Sequence, residues 1–152
     1  MAPYRLRRLD FVFSWRAIYF VTVCTSQRRD LLAQQDVLQS FQEFSQEAGA
    51  RGVYVGRYVL MPDHLHMFVA FAPDAVPLAA WMKSFKNALS KTLRQKGIVA
   101  PHWQKGFFDH VLRSEESYSE KWAYVRLNPV RAGLASSADD WPFQGELYPL
   151  QF

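Results

Sequence analysis

Two apolar runs rich in β-branched and aromatic residues, 53–60 and 64–71, stand on either side of Met61-Pro62-Asp63. Each run is a strand by composition, and Pro-Asp between them is a turn signal. The pair therefore predicts a tight antiparallel hairpin, and the rest of the chain has to build around it. The second run opens His64-Leu65-His66. Side chains at i and i+2 of a strand share a face and lie roughly 6–7 Å apart. His64 and His66 are expected to project together, with Leu65 turned the other way. Two imidazoles on a rigid strand make a pair of metal ligands, but two ligands are not a site.

The flanking segments predict the remaining elements. Residues 17–25 are β-branched and aromatic and read as a first strand. Asp36 is placed to cap a helix through Val37, Leu38, Phe41, Phe44 and Ala48, closed by Gly49 to Gly52. Residues 78–96 carry an apolar stripe of Leu78, Met82, Phe85, Leu89 and Leu93, and Gly97 stops that helix. Residues 107–113 read as a fourth strand. Ser114 opens a third helix through Tyr118, Trp122, Tyr124 and Val125, and Asn128-Pro129 ends it. The order is strand, helix, strand, strand, helix, strand, helix. It predicts an α+β, ferredoxin-like fold: an antiparallel sheet of about four to five strands, helices on one face, and a functional helix near the C-terminus. A single domain is expected over residues 1–152, with a basic arm in 1–16 and a tail in 135–152, where Trp141-Pro142-Phe143 packs back on the domain.

The chain has 152 residues, 49% of them hydrophobic, with 12 Phe, 7 Tyr and 5 Trp. That supports a real core and excludes a disordered chain. No apolar run approaches the ~20 residues that span a bilayer, and the basic N-terminus is interrupted too early for a signal peptide. The single cysteine, Cys24, has no partner for an internal disulfide, which fits a reducing cytoplasm and a small buried hydrophobe. Net charge is +4. A basic, aromatic-rich chain favours a polyanion such as single-stranded nucleic acid. Candidate contacts are Arg5, Arg7 and Arg8 in the arm, Lys83, Lys86, Asn87, Lys91 and Arg94 on the second helix, and Trp103 as a base-stacking ring. The competing readings are a frayed terminus, a solvated helix face and a surface loop; His102, beside Trp103, is expected at the surface.

Tyr124 and Asn128 supply the missing chemistry. As i and i+4 of one helix they would be neighbours on one face. An amide oxygen suits Mg²⁺ or Mn²⁺, and a phenol beside it can attack an electrophile that a metal polarises. Equally, Tyr124 can be a half-buried helix aromatic and Asn128 a helix-ending residue. Tyr118 is the rival nucleophile, but its i+4 neighbour, Trp122, offers no oxygen ligand. Asp109 and His110 read as a pair that supports the site residues from behind or contacts DNA, or as an ordinary structural pair. Glu115 and Glu116 suit a helix N-terminus better than catalysis.

Four stretches resemble one known family: Tyr19-Phe20-Val21-Thr22, Met61-Pro62-Asp63-His64-Leu65-His66, Trp103-Gln104-Lys105-Gly106-Phe107-Phe108-Asp109-His110, and Tyr124-Val125-Arg126-Leu127-Asn128-Pro129-Val130-Arg131-Ala132-Gly133-Leu134. A lone His-x-His is weak. Followed about 60 residues later by Tyr-x3-Asn-Pro-Val-x-Ala-Gly, it is specific. The chain is similar to HUH single-strand DNA endonucleases, and more narrowly to single-tyrosine transposases tied to repetitive extragenic palindromes (REP). The resemblance implies that His64, His66 and Asn128 hold one Mg²⁺ or Mn²⁺. It implies that Tyr124 attacks the scissile phosphate to give a 5′-phosphotyrosine and a free 3′-hydroxyl, on single-stranded or hairpin DNA. Lys105, Arg126 and Arg131 join the DNA-contact candidates. A monomer is expected over a homodimer, with no membrane and a place in the cytoplasm at the nucleoid. The alternative is a domesticated, catalytically silent module that binds single-stranded nucleic acid.

Overall fold

The computed structural model describes residues 15–152. Arg5, Arg7 and Arg8 lie outside them. Five strands form one sheet in the order β4-β1-β3-β2-β5. These are β1 (Ile18–Cys24), β2 (Val53–Leu60), β3 (His64–Phe71), β4 (Phe108–Leu112) and β5 (Gln144–Glu146). Every neighbouring pair is antiparallel. The hairpin of β2 and β3 has the expected bounds and lies at the centre of the sheet. The helices are α1 (Gln35–Ala48), α2 (Leu78–Gln95), α3 (Glu115–Val125) and the single turn α4 (Asn128–Arg131).

Strand alternation divides the core in two. Val21 and Val23 of β1 and Leu65, Met67 and Val69 of β3 meet Phe41 of α1 and Met82, Phe85 and Leu89 of α2. The intervening residues, Ile18 and Phe68, face the opposite way and meet Leu112, Tyr118 of α3, and Tyr148 and Leu150 of the tail. The helices were expected together on one face. Two of them are; α3 lies across the other face, the one that carries the even-numbered residues of β3 and hence both histidines. A helix buries only the stripe it presents, and the Tyr118–Trp122 stripe finds Phe68, at ring-centroid distances of 5.0 and 6.1 Å.

Other boundaries moved for local reasons. Asp36 is not the cap of α1: Gln34 is the extended residue before the helix, and Asp36 sits in the first turn. There its carboxylate accepts from the Val37 amide at 3.0 Å and from Lys96 Nζ at 2.6 Å, tying the start of α1 to the end of α2. The Lys96 ammonium helps to hold the Asp36 carboxyl below the usual carboxylate range. The tail does pack back: buried Trp141 donates Nε1–H to the Leu60 carbonyl at 2.9 Å. It also adds β5 to the free edge of β2, an element of three residues too short to show in the sequence. Cys24 is half-buried rather than buried. Among the described residues, no helix is long and apolar enough to cross a membrane.

Candidate functional site

β1 and β3 set the floor of the site. Their register pairs Thr22 with His66 and Cys24 with His64. The two imidazoles lie with ring centroids 4.9 Å apart. Each has its Nδ1 engaged. His64 Nδ1 is 2.8 Å from Asp63 Oδ1, and His66 Nδ1 is 2.8 Å from Thr22 Oγ1. Arg28 Nη2 also stands 3.3 Å from His64 Nδ1; in the tautomer with the proton on Nδ1, each ring would keep its Nε2 lone pair for a ligand. Phe20 stacks on His66 at 5.1 Å and 20°. Burial, with the charges of His64, Lys121 and Arg131, pushes the His66 pKa down to about 3. That ring is therefore neutral at ordinary pH, as a metal ligand must be.

Asp63 is itself held from outside the hairpin. Arg28 Nε donates to Asp63 Oδ2 at 3.0 Å, and this pair lies partly in solvent. Burial is the largest single influence on the Asp63 carboxyl and pushes it up, but the hydrogen bonds and charges of Arg28 and His64 together outweigh it and hold the group below the usual carboxylate range. The connection that presents Arg28 is strained: Gln27 and Arg28 both adopt left-handed backbone, at φ 55° and 52°. Thr25 and Leu31–Leu32 clasp the turn through the Asp63 and Pro62 carbonyls. Sequence reasoning missed Asp63, Thr22, Arg28 and Lys121 as site residues. Asp63, adjacent to His64, and Thr22, two strand positions from Phe20, carried a weak local signal; Arg28 reaches the hairpin only through the fold.

The third wall comes from α3 and α4. Ser114 caps α3 by accepting from the Ser117 amide at 3.1 Å, with Glu115 and Glu116 at the positive end of the helix. Tyr124 was expected one turn from Asn128 on a single helix. Instead α3 stops at Val125, and Asn128 begins a separate turn. Pro129 has no N–H to give the Val125 carbonyl, so the helix breaks and restarts around the proline. Arg131 bridges the break. Its Nη2 donates to the Tyr124 carbonyl at 2.8 Å and also to Asn128 Oδ1, and its Cζ lies 3.9 Å from the Tyr124 ring centroid. Tyr124 is 63% exposed, whereas its rival Tyr118 is 2% exposed, with its phenol pushed up to about 12 by burial. Lys121, one turn before Tyr124, lies 5.1 Å above the Phe20 ring. Val125 packs with Val59 and Met61, which seats the end of α3 beside the hairpin. Among the described residues no three His, Cys, Asp or Glu side chains form a group that could hold a metal ion.

The remaining candidates lie elsewhere. Lys83, Asn87, Lys91 and Arg94 are exposed on α2, which packs on the face opposite the histidines. Lys86 is tied to the Gln104 and Gly106 carbonyls. Trp103 is not a free stacking ring. Its Nε1–H donates to Ser90 Oγ at 2.9 Å, Ser90 reaches His102 Nδ1 at 2.8 Å, and His102 Nε2 meets the Ile98 carbonyl at 3.0 Å. That chain buries His102, which was expected at the surface, because each of its polar atoms finds a partner. Lys105 is exposed in the turn before β4. Arg126 pairs with Asp139 at 2.9 Å. His110 stands across from Phe20 on β4, with Asp109 across from Val21, so the two point to opposite faces.

The model of a family described as IS200-like transposases matches residues 13–126. A REP-associated tyrosine transposase of Escherichia coli K12 is 23% identical over 125 residues, covering 82% of this chain and 73% of the relative. A Haemophilus influenzae protein provisionally named as a REP-associated tyrosine transposase is 22% identical over 154 residues, covering 90% of this chain and 88% of its own length. A solved structure of a REP-associated tyrosine transposase bound to a REP hairpin superposes with a TM-score of 0.71 at 21% identity, over 92% of this chain and 87% of that one. The resemblance carried by the motifs is thus borne out, and so is the α+β antiparallel architecture.

Proposed function

We propose that this chain, which belongs to the family of IS200-like transposases, is a divalent-metal-dependent endonuclease and strand-transferase for single-stranded DNA beside hairpins. One observation carries the proposal. His64 and His66 stand side by side with both Nδ1 atoms engaged, on the sheet face where α3 presents an exposed tyrosine. A metal-ligating histidine is usually oriented in this way, through its other ring nitrogen.

The residues fit a hard divalent ion. His64 and His66 would offer Nε2, and Asn128 would offer Oδ1 once it is released from Arg131. Such an ion supplies Lewis-acid stabilisation of charge developing on a phosphate oxygen. The chain's own groups do the rest. Lys121 and Arg131 draw the phosphodiester toward the histidines. The Tyr124 phenol oxygen forms the new bond to phosphorus, the P–O3′ bond breaks, and the phenolic proton ends on the departing 3′-oxygen. A 5′-phosphotyrosine and a free 3′-hydroxyl result. The ester keeps the bond energy, so attack by another 3′-hydroxyl rejoins strands without ATP.

A hairpin substrate is supported by the kinship with proteins named for REP elements, one of them solved with a REP hairpin. The nucleoid is then the place of work. A catalytically silent binding module is disfavoured because Tyr124 and both histidines are retained. Incubation with an end-labelled REP-type hairpin carrying a single-stranded flank tests the proposal. Nicking is expected with Mn²⁺ or Mg²⁺ and is lost with EDTA or in His66→Ala. Nicking that survives both treatments would overturn it.

A further inference from the structure

Arg131 has no part yet in holding metal or forming bonds, although it touches the residues that do. Its guanidinium covers the Tyr124 ring at 3.9 Å, takes the Tyr124 carbonyl at 2.8 Å, and donates to Asn128 Oδ1. Its charge also reaches His66. A single cation therefore occupies the amide oxygen that a metal would need and lies against the ring of the nucleophile. It does so from α4, a turn of four residues set off from α3 by the proline break. We propose that Arg131 is a positioning residue that latches Tyr124 and Asn128 together in the free chain and hands Asn128 to the metal only when a DNA phosphate takes its guanidinium.

The proposal rests on the assignment of Asn128 as a ligand. Its physical basis is competition. A guanidinium and a divalent ion drawing on one amide oxygen repel each other at close range. A phosphodiester resolves the conflict, because its two anionic oxygens match the guanidinium fork better than one neutral amide does. Metal and DNA then bind cooperatively, and linkage makes the effect reciprocal: DNA tightens the metal by the factor that the metal tightens DNA. The device also avoids a loaded metal with no substrate.

The test is a Mn²⁺ titration of the full chain, with free Mn²⁺ read by EPR, with and without a hairpin oligonucleotide. A Tyr124→Phe background keeps the ring beneath the guanidinium and prevents cleavage. Hairpin is expected to tighten Mn²⁺ binding about ten-fold, within the usual range of coupling between sites. Arg131→Gln is expected to tighten Mn²⁺ binding without DNA several-fold and to remove most of the hairpin effect; Arg131→Lys falls between. Thermal melting of both variants checks that they fold, and Arg131→Lys carries the comparison if Arg131→Gln does not. A merely structural Arg131 would weaken metal binding on substitution or leave it alone, and either result overturns the latch. If the parent chain binds Mn²⁺ and the chain with Tyr124 nicks hairpin, but substitution of Arg131 leaves Mn²⁺ affinity unchanged, the latch alone falls. If the parent binds no Mn²⁺ even with hairpin, the proposed function falls with it.

Discussion

Asp63 shows how much of a candidate site can hang on one side chain. It links the His64 ring to Arg28 and so sets which imidazole nitrogen is free. Asp63→Asn keeps the shape and removes the charge. The Arg28 pair is weakened, and the amide can present either an oxygen or an N–H to His64. Metal affinity is expected to fall about 10–100-fold, as is usual when the outer partner of a ligating histidine is lost. Isothermal titration with Mn²⁺ reads this directly, and an unchanged affinity would mean that His64 is oriented by something else. Thermal stability should change little, since Asp63 is partly in solvent and exposed ion pairs contribute ~0–1 kcal/mol.

At the scale of elements, the sequence was most legible where period and punctuation agreed. The β2–β3 hairpin, α2 and the Ser114 cap lie where alternation, helical spacing and turn residues put them. What was not legible depended on partners distant in the chain. β5 exists because β2 has a free edge and Trp141 anchors the tail there, not because Gln144-Gly145-Glu146 favours a strand. Gly145 permits the close approach: a Cβ there would stand 2.6 Å from the Tyr58 hydroxyl oxygen. The break between α3 and α4 was foreseen as an end but not as a restart, because proline forbids one hydrogen bond and allows the next turn. The candidate histidines, tyrosine and asparagine were read from the sequence. Partners such as Thr22 and Arg28 come from other segments and show only in the fold. Trp103 and His102 were misjudged for the same reason: Ser90, on α2, satisfies both. Ser90→Ala leaves the His102 Nδ1 without its partner and the Trp103 indole N–H with only the Lys86 carbonyl at 3.3 Å, and two-state denaturation should show a loss of about 1–3 kcal/mol. Hairpin nicking by the folded variant should be unaltered, because this network lies across the sheet from the histidines.

At the scale of the molecule, the sheet separates two groups of basic side chains among the described residues. One is on the outer face of α2, with Lys83, Lys91 and Arg94. The other lies around the histidines, with Lys121 and Arg131. Composition and net charge cannot tell them apart; the strand register does. Replacing Lys83, Lys91 and Arg94 together by Gln is expected to leave the nicking rate at saturating DNA within about two-fold, since charges beyond a Debye length of ~8–10 Å are largely screened. Lys121→Gln is expected to lower that rate, because its ammonium stands over Phe20 beside His66. Single-turnover rates on labelled hairpin compare the two, and a larger loss from the α2 variant would move the working surface to the other face. Val125 packs with Val59 and Met61, which sets the end of the tyrosine helix beside the hairpin of the same chain, and the proposed chemistry is expected to need one copy. The most direct measurement is mass spectrometry of the covalent product formed with Mn²⁺ and a hairpin substrate. A nucleotide adduct on the peptide containing Tyr124, absent in Tyr124→Phe, is the predicted result. An adduct on any other residue, or none while the DNA is still cut, would contradict it.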